Sequence, residues 1–330
     1  MGSGSDKMKI GDLTIDIPII MAPMAGVTDY PFRQILRKMG CRLVFTEMVS
    51  SKGLVYDDDH TSDLIDFSRN DGLIGVQIFG NEPDFMAEAA EIVEMEYKPD
   101  LIDINMGCPT PKIVKNGAGS ALMKDEKLAG QVMGAVVSSV EIPVTIKIRT
   151  GWDQKHINAL KITQIAQNQG IKAVTIHGRS REQFYKGKAD WDIIQDIAEE
   201  SKLPIIGNGD IFSPEDALDK LENTNCQAVM LARGVQGNPW LIKRIIQYLK
   251  SGELIDKPTY KEVIEMAKIH LLKACDYYGE DRGIPKMRKH LSWYLKGMPY
   301  STTIKDKINQ TSDLKTLTDI LNNYLLKLEY

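Results

Sequence analysis

Short all-apolar runs recur along most of the chain, spaced so that one amphipathic segment fits between each pair. The runs fall at 17–22, 42–45, 74–79, 101–104, 144–148, 173–177, 203–206 and 228–231. Between them, segments such as 157–169, 190–200 and 214–221 place apolar residues at helical spacing. Thr28 or Asp29 can cap a further helix, with Pro31 in its first turn. Eight buried-type strands alternating with helices predict an α/β fold, a (β/α)8 TIM barrel, with a doubly wound open sheet as the rival. The barrel is preferred because a polar residue stands where each strand ends: Met24, Glu47, Gln77, Asn105 with Cys108, Lys147 with Arg149, His177 with Arg179, Asn208 with Asp210, and Arg233. In a barrel these converge on one mouth.

After 251–253 the pattern changes, and from 260 to 328 only helical periodicity remains. The expected organisation is a barrel over 10–250 and an all-helical domain over 251–330, with the leading seven residues set aside because they carry no apolar pattern. No apolar run approaches the length of a membrane span and no signal peptide opens the chain, so a cytoplasmic protein without membrane or protein partners is expected. The four cysteines lie far apart and form no CxxC pair, which suggests neither a metal site nor a disulfide framework. A net charge of −4 argues against a uniformly basic coat. Between 281 and 308, however, seven basic residues face two acidic ones, a surplus of five. That segment is either a solvated helix face or a phosphate-contacting surface.

Met106-Gly107-Cys108-Pro109 breaks the fourth strand and holds a thiol on a turn at its carboxyl end, where α/β folds bind ligands. Cys108 is then either an inert buried thiol or a reactive one. The small-residue run 116–120 beyond it can close over a ligand. Gly207-Asn208-Gly209-Asp210 and Ala232-Arg233-Gly234 follow the seventh and eighth strands, where barrels often hold a phosphate. Lys147 sits inside a strand with its side chain toward the barrel interior, which is costly unless something anionic meets it. It can form a Schiff base, face the anionic end of a reduced flavin, or pair with Glu47 or Asp103. His177 either touches a cofactor or is a hydrogen-bonded core histidine.

Taken together, APMAGVTDYPFR (22–33), TEM (46–48), DINMGCPTPK (103–112), GAGSALM (117–123), KIRTGW (147–152), TIHGRSR (175–181), GKADW (187–191), GNGDI (207–211) and RKHLSWYLKG (288–297) resemble the tRNA-dihydrouridine synthases, the bacterial B type above all. The resemblance implies an FMN-dependent oxidoreductase that uses NADPH to reduce the C5–C6 double bond of uridines in tRNA. It places Pro23, Met24 and Ala25 along the flavin, Gln77 and Lys147 at its pyrimidine end, His177 against it, and Asn208, Gly209, Asp210, Ala232, Arg233 and Gly234 around its phosphate. Ala232 departs from a glycine common in related proteins. Cys108 becomes the proton donor and Asn105 a candidate for orienting the uracil, while Lys112, Arg179, Arg282, Lys286, Arg288 and Lys289 become candidates for gripping RNA phosphates. The alternatives are a dihydroorotate dehydrogenase-like flavoenzyme acting on a free pyrimidine, a non-catalytic tRNA-binding protein, and an aldolase using Lys147.

Overall fold

A computed structural model describes residues 7–58, 61, 63–68 and 72–329 of the chain. It opens with an antiparallel hairpin, β1 (Met8–Ile10) and β2 (Leu13–Ile15), that pairs Met8 with Ile15 and buries Met8, Ile10 and Ile15. The hairpin turn at Gly11 presses on Pro143 and Lys172, residues that precede two barrel strands, so it plugs the end of the barrel opposite the mouth. Apolar alternation in 8–15 is its only sequence signal, and the eight-strand pattern does not include it.

The barrel follows in β3 (Ile19–Met21), β4 (Leu43–Phe45), β6 (Leu73–Phe79), β7 (Leu101–Asn105), β8 (Val144–Arg149), β9 (Ala173–His177), β10 (Ile205–Asn208) and β11 (Ala228–Leu231), with a short β5 (Val49–Ser50) beside β6. Neighbours pair in parallel, β11 returns to β3, and β4 pairs with β6, so the ring is closed and the open-sheet rival is excluded. All eight runs read from the sequence meet their strands within two residues at each end; the seventh is the one displaced as a whole, from 203–206 to Ile205–Asn208. Pro204 has no N–H for the ladder, and Ser201 closes a turn with Leu203 ahead of it. The displacement draws Asn208 into the strand, where it sits level with His177 on β9. Likewise the helix expected over 157–169 is Ala159–Asn168, because Ile157 bridges to Gly151.

Register decides which polar groups meet. Gln77 lies beside Asp103, Asp103 beside Thr145, Asn105 beside Lys147, and Arg149 beside His177. Outward residues such as Ile146 and Ile148 are fully buried under the surrounding helices, as a parallel barrel requires.

Beyond the barrel, four helices, Tyr260–Tyr278, Glu280–Tyr294, Ser301–Gln310 and Leu314–Glu329, enclose a second apolar cluster around Ile264, Leu271, Leu291, Leu317 and Leu321. The first starts in a capping box in which Thr259 Oγ1 accepts from Glu262 N and Glu262 Oε2 accepts from Thr259 N. This bundle is fastened to the helix Tyr30–Lys38 that follows β3. Phe32 stacks on His270 at 5.1 Å, Lys273 Nζ donates to Gln34 Oε1 at 2.9 Å, and the Tyr278 hydroxyl donates to Asp29 Oδ2 at 3.3 Å. Asp29 itself caps that helix, accepting from Phe32 N at 3.2 Å. Among the described residues no helix is long and apolar enough to cross a membrane.

A second fastening lies beside the barrel mouth, where Gly237 (φ +69°) packs flat on the backbone of Trp293 and a Cβ would run into the Trp293 carbonyl. Gly237→Ala therefore meets both an unfavourable φ and a backbone clash, and should destabilise the protein by about 1–3 kcal/mol. Chemical denaturation measures this, and an unchanged midpoint would show that the seam gives way freely.

Candidate active site

The carboxyl ends of the barrel strands open into one cavity of about 520 Å³. It is lined by every residue predicted to hold the cofactor, together with Asn105 and Cys108. Its lining carries four cationic side chains, Lys147, Arg149, Arg233 and Lys289, against one carboxylate, Asp210. A cavity of this size and sign suits an anionic ligand with a flat apolar body.

A chain of hydrogen bonds rises from the barrel interior to the cysteine turn. Thr145 Oγ1 donates to Asp103 Oδ1 and Gln77 Nε2 to Asp103 Oδ2, both at 2.6 Å. Asn105 Nδ2 donates to Gln77 Oε1 at 2.7 Å, and Asn105 Oδ1 accepts from Cys108 N at 2.9 Å and Gly107 N at 3.2 Å. Burial pushes Asp103 up to about 6, against the lowering effect of the Gln77 and Thr145 bonds and of nearby Lys147. Asn105 was expected to face a substrate edge. It lines the cavity, but its oxygen and one amide hydrogen are committed to holding the Cys108 turn.

Cys108 is half-buried, and its thiol donates to Thr110 Oγ1 at 3.2 Å. The run 116–120 is not a lid. Ala118, Gly119 and Ser120 are buried, Ser120 N and Oγ both donate to the Cys108 carbonyl (3.0 and 2.9 Å), and a Cβ on Gly119 (φ +61°) would stand 2.9 Å from that oxygen. Arg149 supports the same turn from the other side, through Nε to the Gly107 carbonyl at 2.7 Å. The other cysteines are buried, and burial raises the thiols of Cys41 to about 12 and Cys226 to about 11.

Lys147 does face inward, and of its three readings the pairing with Glu47 or Asp103 is not formed. Glu47 Oε1 accepts from Gly26 N and Asp103 is taken by Gln77 and Thr145, so Lys147 Nζ donates to Asn208 Oδ1 at 3.0 Å. Asn208 Nδ2 is in turn fixed on the Met230 carbonyl at 2.7 Å. Burial lowers Lys147 to about 8; Arg149 adds to the lowering, and Asp103 opposes it. His177 is held well below the usual histidine range by burial and by Lys147, Arg149, Arg179 and Arg233, so it is a neutral imidazole near pH 7.

The two small-residue turns stand side by side. Gly234 packs on the Ile211 carbonyl and Gly209 (φ +141°) on Ala189, so both present backbone to the cavity. Asp210 was expected to touch a ligand directly, yet its carboxylate is occupied by Arg179 Nη2 and Ala189 N at 2.7 Å and Arg233 Nη2 at 3.0 Å. Burial alone would raise Asp210, but these donors hold it below the usual range. Its role is to aim Arg233. Arg179, expected to grip RNA, is only 2% exposed and ties Asp210 to the Lys186 and Gly187 carbonyls, so it has no face to offer a phosphate outside.

The remaining basic candidates divide. Lys112, Arg282 and Lys286 are exposed, with Lys286 Nζ 4.6 Å from the Tyr278 ring. Arg288 is half-buried and spends Nη2 on the Thr311 carbonyl at 3.2 Å, so it stitches two helices and is not an open phosphate grip. Lys289 turns into the mouth, where a Cβ on Gly26 would lie 2.7 Å from its Nζ, and Trp293 lines the cavity beside it. Sequence reasoning missed Tyr185 and Trp293 as members of the cavity lining, and set Arg149 at the mouth without giving it a role. Of these only Arg149, at a strand end, carried a local signal. Among the described residues no cluster of three or more His, Cys, Asp or Glu is placed to hold a metal ion.

If Asn105 holds the cysteine turn, Asn105→Ala should cost about 1–3 kcal/mol by leaving the buried amide of Gln77 short of a partner. It should also change the rate at which iodoacetamide labels Cys108, the one thiol not buried. Unaltered stability together with unaltered labelling would refute the positioning role.

Comparison with known proteins follows the same residues. The family model described as dihydrouridine synthase matches residues 20–328. A protein of Rickettsia bellii named probable tRNA-dihydrouridine synthase is 41% identical over 307 residues, 93% of this chain and 94% of its own. The tRNA-dihydrouridine synthase B of Shewanella oneidensis is 43% identical over 288 residues, covering 87% of this chain and 89% of its own. Among solved structures, histamine dehydrogenase from Rhizobium sp. 4-9 superposes with a TM-score of 0.57 at 12% identity, over 82% of this chain and 51% of that one. An old yellow enzyme homologue from Zymomonas mobilis gives 0.52 at 13% identity, over 79% and 96%. At such low identity these last two speak to the barrel fold alone.

Proposed function

The chain belongs to the dihydrouridine synthase family and is an oxidoreductase, and on that premise we propose that it reduces uridines in tRNA to 5,6-dihydrouridine with FMN, NADPH and Cys108 as the acting parts. The observation that carries this is the conjunction, in one cationic cavity, of a thiol on a doubly buttressed turn with an inward lysine and two backbone-lined turns around Arg233. The residues fit the cofactor: Arg233 and the backbone of Gly209 and Gly234 suit its phosphate, Lys147 and Gln77 its pyrimidine end, and Pro23, Met24 and Ala25 an apolar face, with His177 and Ala232 alongside. Ala232 has φ −137°, outside the left-handed region that favours glycine. When bound, FMN would supply the hydride that goes to C6 of the uracil ring.

The chain itself then has three tasks. Cys108 Sγ holds the proton that C5 must receive, and Thr110 Oγ1 at 3.2 Å keeps the thiol oriented. The rigid Asn105–Gln77–Asp103 chain fixes where that sulfur stands, which matters because proton transfer tolerates little misplacement. Lys147 places a positive charge beside developing negative charge, and Asn208 keeps it in register. Since a base inside a stack cannot reach the floor of the mouth, the target nucleotide must leave the stack. We assign the barrel (10–250) to catalysis, the helices (251–330) to tRNA, with Arg282 and Lys286 as exposed cations, and the enzyme to the cytoplasm.

A dihydroorotate dehydrogenase-like enzyme would take a free pyrimidine, but the curated relatives carry the tRNA name over nearly their whole length, which favours the RNA substrate. An intact thiol turn favours catalysis over a purely RNA-binding role.

Two outcomes test the assignment. Cys108→Ala should leave reduction of bound flavin by NADPH within about two-fold and lower reduction of unmodified tRNA by roughly 10²–10⁴; loss of bound flavin instead would remove Cys108 from the proton-donor role. Lys147 carries its charge below about pH 8 and loses it above. A flavin–Lys147 contact therefore makes the reduction potential of the bound flavin fall more steeply above pH 8 in the native enzyme than in Lys147→Met, and identical profiles would exclude it.

A further inference from the structure

Two of the most exposed large apolar side chains, Tyr185 (53% exposed) and Phe212 (51%), stand on separate loops at the same cavity mouth. Neither position is an accident of a loose loop. The carbonyls on either side of Tyr185 are held by the two buried arginines: Phe184 O accepts from Arg149 Nη1 at 2.9 Å and Lys186 O from Arg179 Nε at 3.1 Å. Phe184 also adopts φ +54°, a conformation costly for a bulky residue. Phe212 precedes the capping Ser213, where an apolar residue commonly packs back on its helix; its N–H is pinned by Asp216 Oδ2 at 2.8 Å and its ring stays half exposed at the mouth.

Cations alternate with these rings. The Arg233 guanidinium lies 5.1 Å from the Tyr185 ring and 5.9 Å from the Phe212 ring, and the buried Arg149 lies 5.8 Å from the Tyr185 ring. Outside the cavity a further ring has the same company: Trp152, whose carbonyl accepts from Glu182 N, is flanked by Arg181 at 4.5 Å and Lys124 at 4.7 Å. A fixed, water-exposed aromatic with a cation beside it is the arrangement that stacks an unpaired base and neutralises its phosphate, without regard to base identity.

We propose that Phe212 and Tyr185, held on either side of Arg233, form a stacking platform for unpaired RNA nucleotides flanking the target uridine. The proposal rests on the tRNA reading and names which barrel residues receive the strand. Pulling one base out of a stack leaves its neighbours uncovered, and the platform supplies replacement faces at the rim through which that base passes.

The test uses the flavin-loaded enzyme and a fluorescent single-stranded oligouridylate of about ten nucleotides, read by anisotropy. Tyr185→Leu and Phe212→Leu should each raise its dissociation constant roughly ten-fold, and Tyr185→Trp should keep it near native. Because no charge is removed, the slope of log affinity against log salt should stay unchanged. On unmodified tRNA the same variants should raise KM more than they lower kcat. Phe212 lies on its own loop, so a misfolded Tyr185→Leu would leave that arm intact. Native oligonucleotide affinity in both leucine variants overturns the platform, as does a raised KM for NADPH with RNA binding unaltered. A wild-type protein that binds the oligonucleotide through these rings yet forms no dihydrouridine would sink the catalytic reading while leaving the platform standing.

Discussion

The place of the thiol at the mouth depends on one buried line of hydrogen bonds, from Thr145 through Asp103, Gln77 and Asn105 to the backbone of Cys108. Each member has a fixed polarity: the carboxylate accepts twice, which orients the Gln77 amide, which makes Gln77 Oε1 face Asn105, which leaves Asn105 Oδ1 for the cysteine turn. Reversing any one amide sets donor against donor in a place water does not reach, at a cost of about 1–3 kcal/mol. The chain is therefore a device for carrying the position of a barrel-wall carboxylate to a sulfur at the rim. Ser120 and Arg149 then lock the two carbonyls of the turn, so the thiol is confined from three directions.

The second constraint is charge. Lys147, Arg149, Arg179 and Arg233 lie close enough to hold His177 neutral, and three of them need carbonyl or amide partners because only Asp210 among the lining groups is anionic. Concentrating like charges in this way is unfavourable in the free protein and becomes favourable when an anion enters. The arginines meanwhile do structural work, since Arg149 and Arg179 crosslink the loop that carries Tyr185. Binding and scaffold share the same side chains.

Much of this was legible along the chain. The eight strands followed from apolar runs closed by polar residues, and the convergence of those polar residues on one mouth followed from closing the ring. What was not legible depended on side-chain direction. Arg179 read as an RNA contact and Asp210 as a cofactor contact, but they find each other at 2.7 Å across two loops. Lys147 read as facing an anion, with a salt bridge to Glu47 or Asp103 as one alternative, yet register set Asn208 within its reach. The small-residue run 116–120 read as mobile because glycine permits it; here the glycines serve close packing against Cys108. In each case the local residue type was right and its partner came from a strand or loop far away in sequence.

The helical segment shows the same limit in a more consequential way. From periodicity it looked like an appendage with a basic face, and it does have its own apolar core. Its helix Glu280–Tyr294, however, alternates its basic side chains between solvent, a helix seam and the barrel mouth. Lys286 is outside, Arg288 is bound to the Thr311 carbonyl, and Lys289 and Trp293 line the cavity. Gly26, on the loop expected to run along the flavin, is held by Glu47 on one side and met by Lys289 on the other. The cavity thus belongs to both cores, and an RNA resting on the outer face of that helix is one helical turn from the cavity wall. One helix thus presents cations both to solvent and to the cavity, which is why charge count alone could not separate the two.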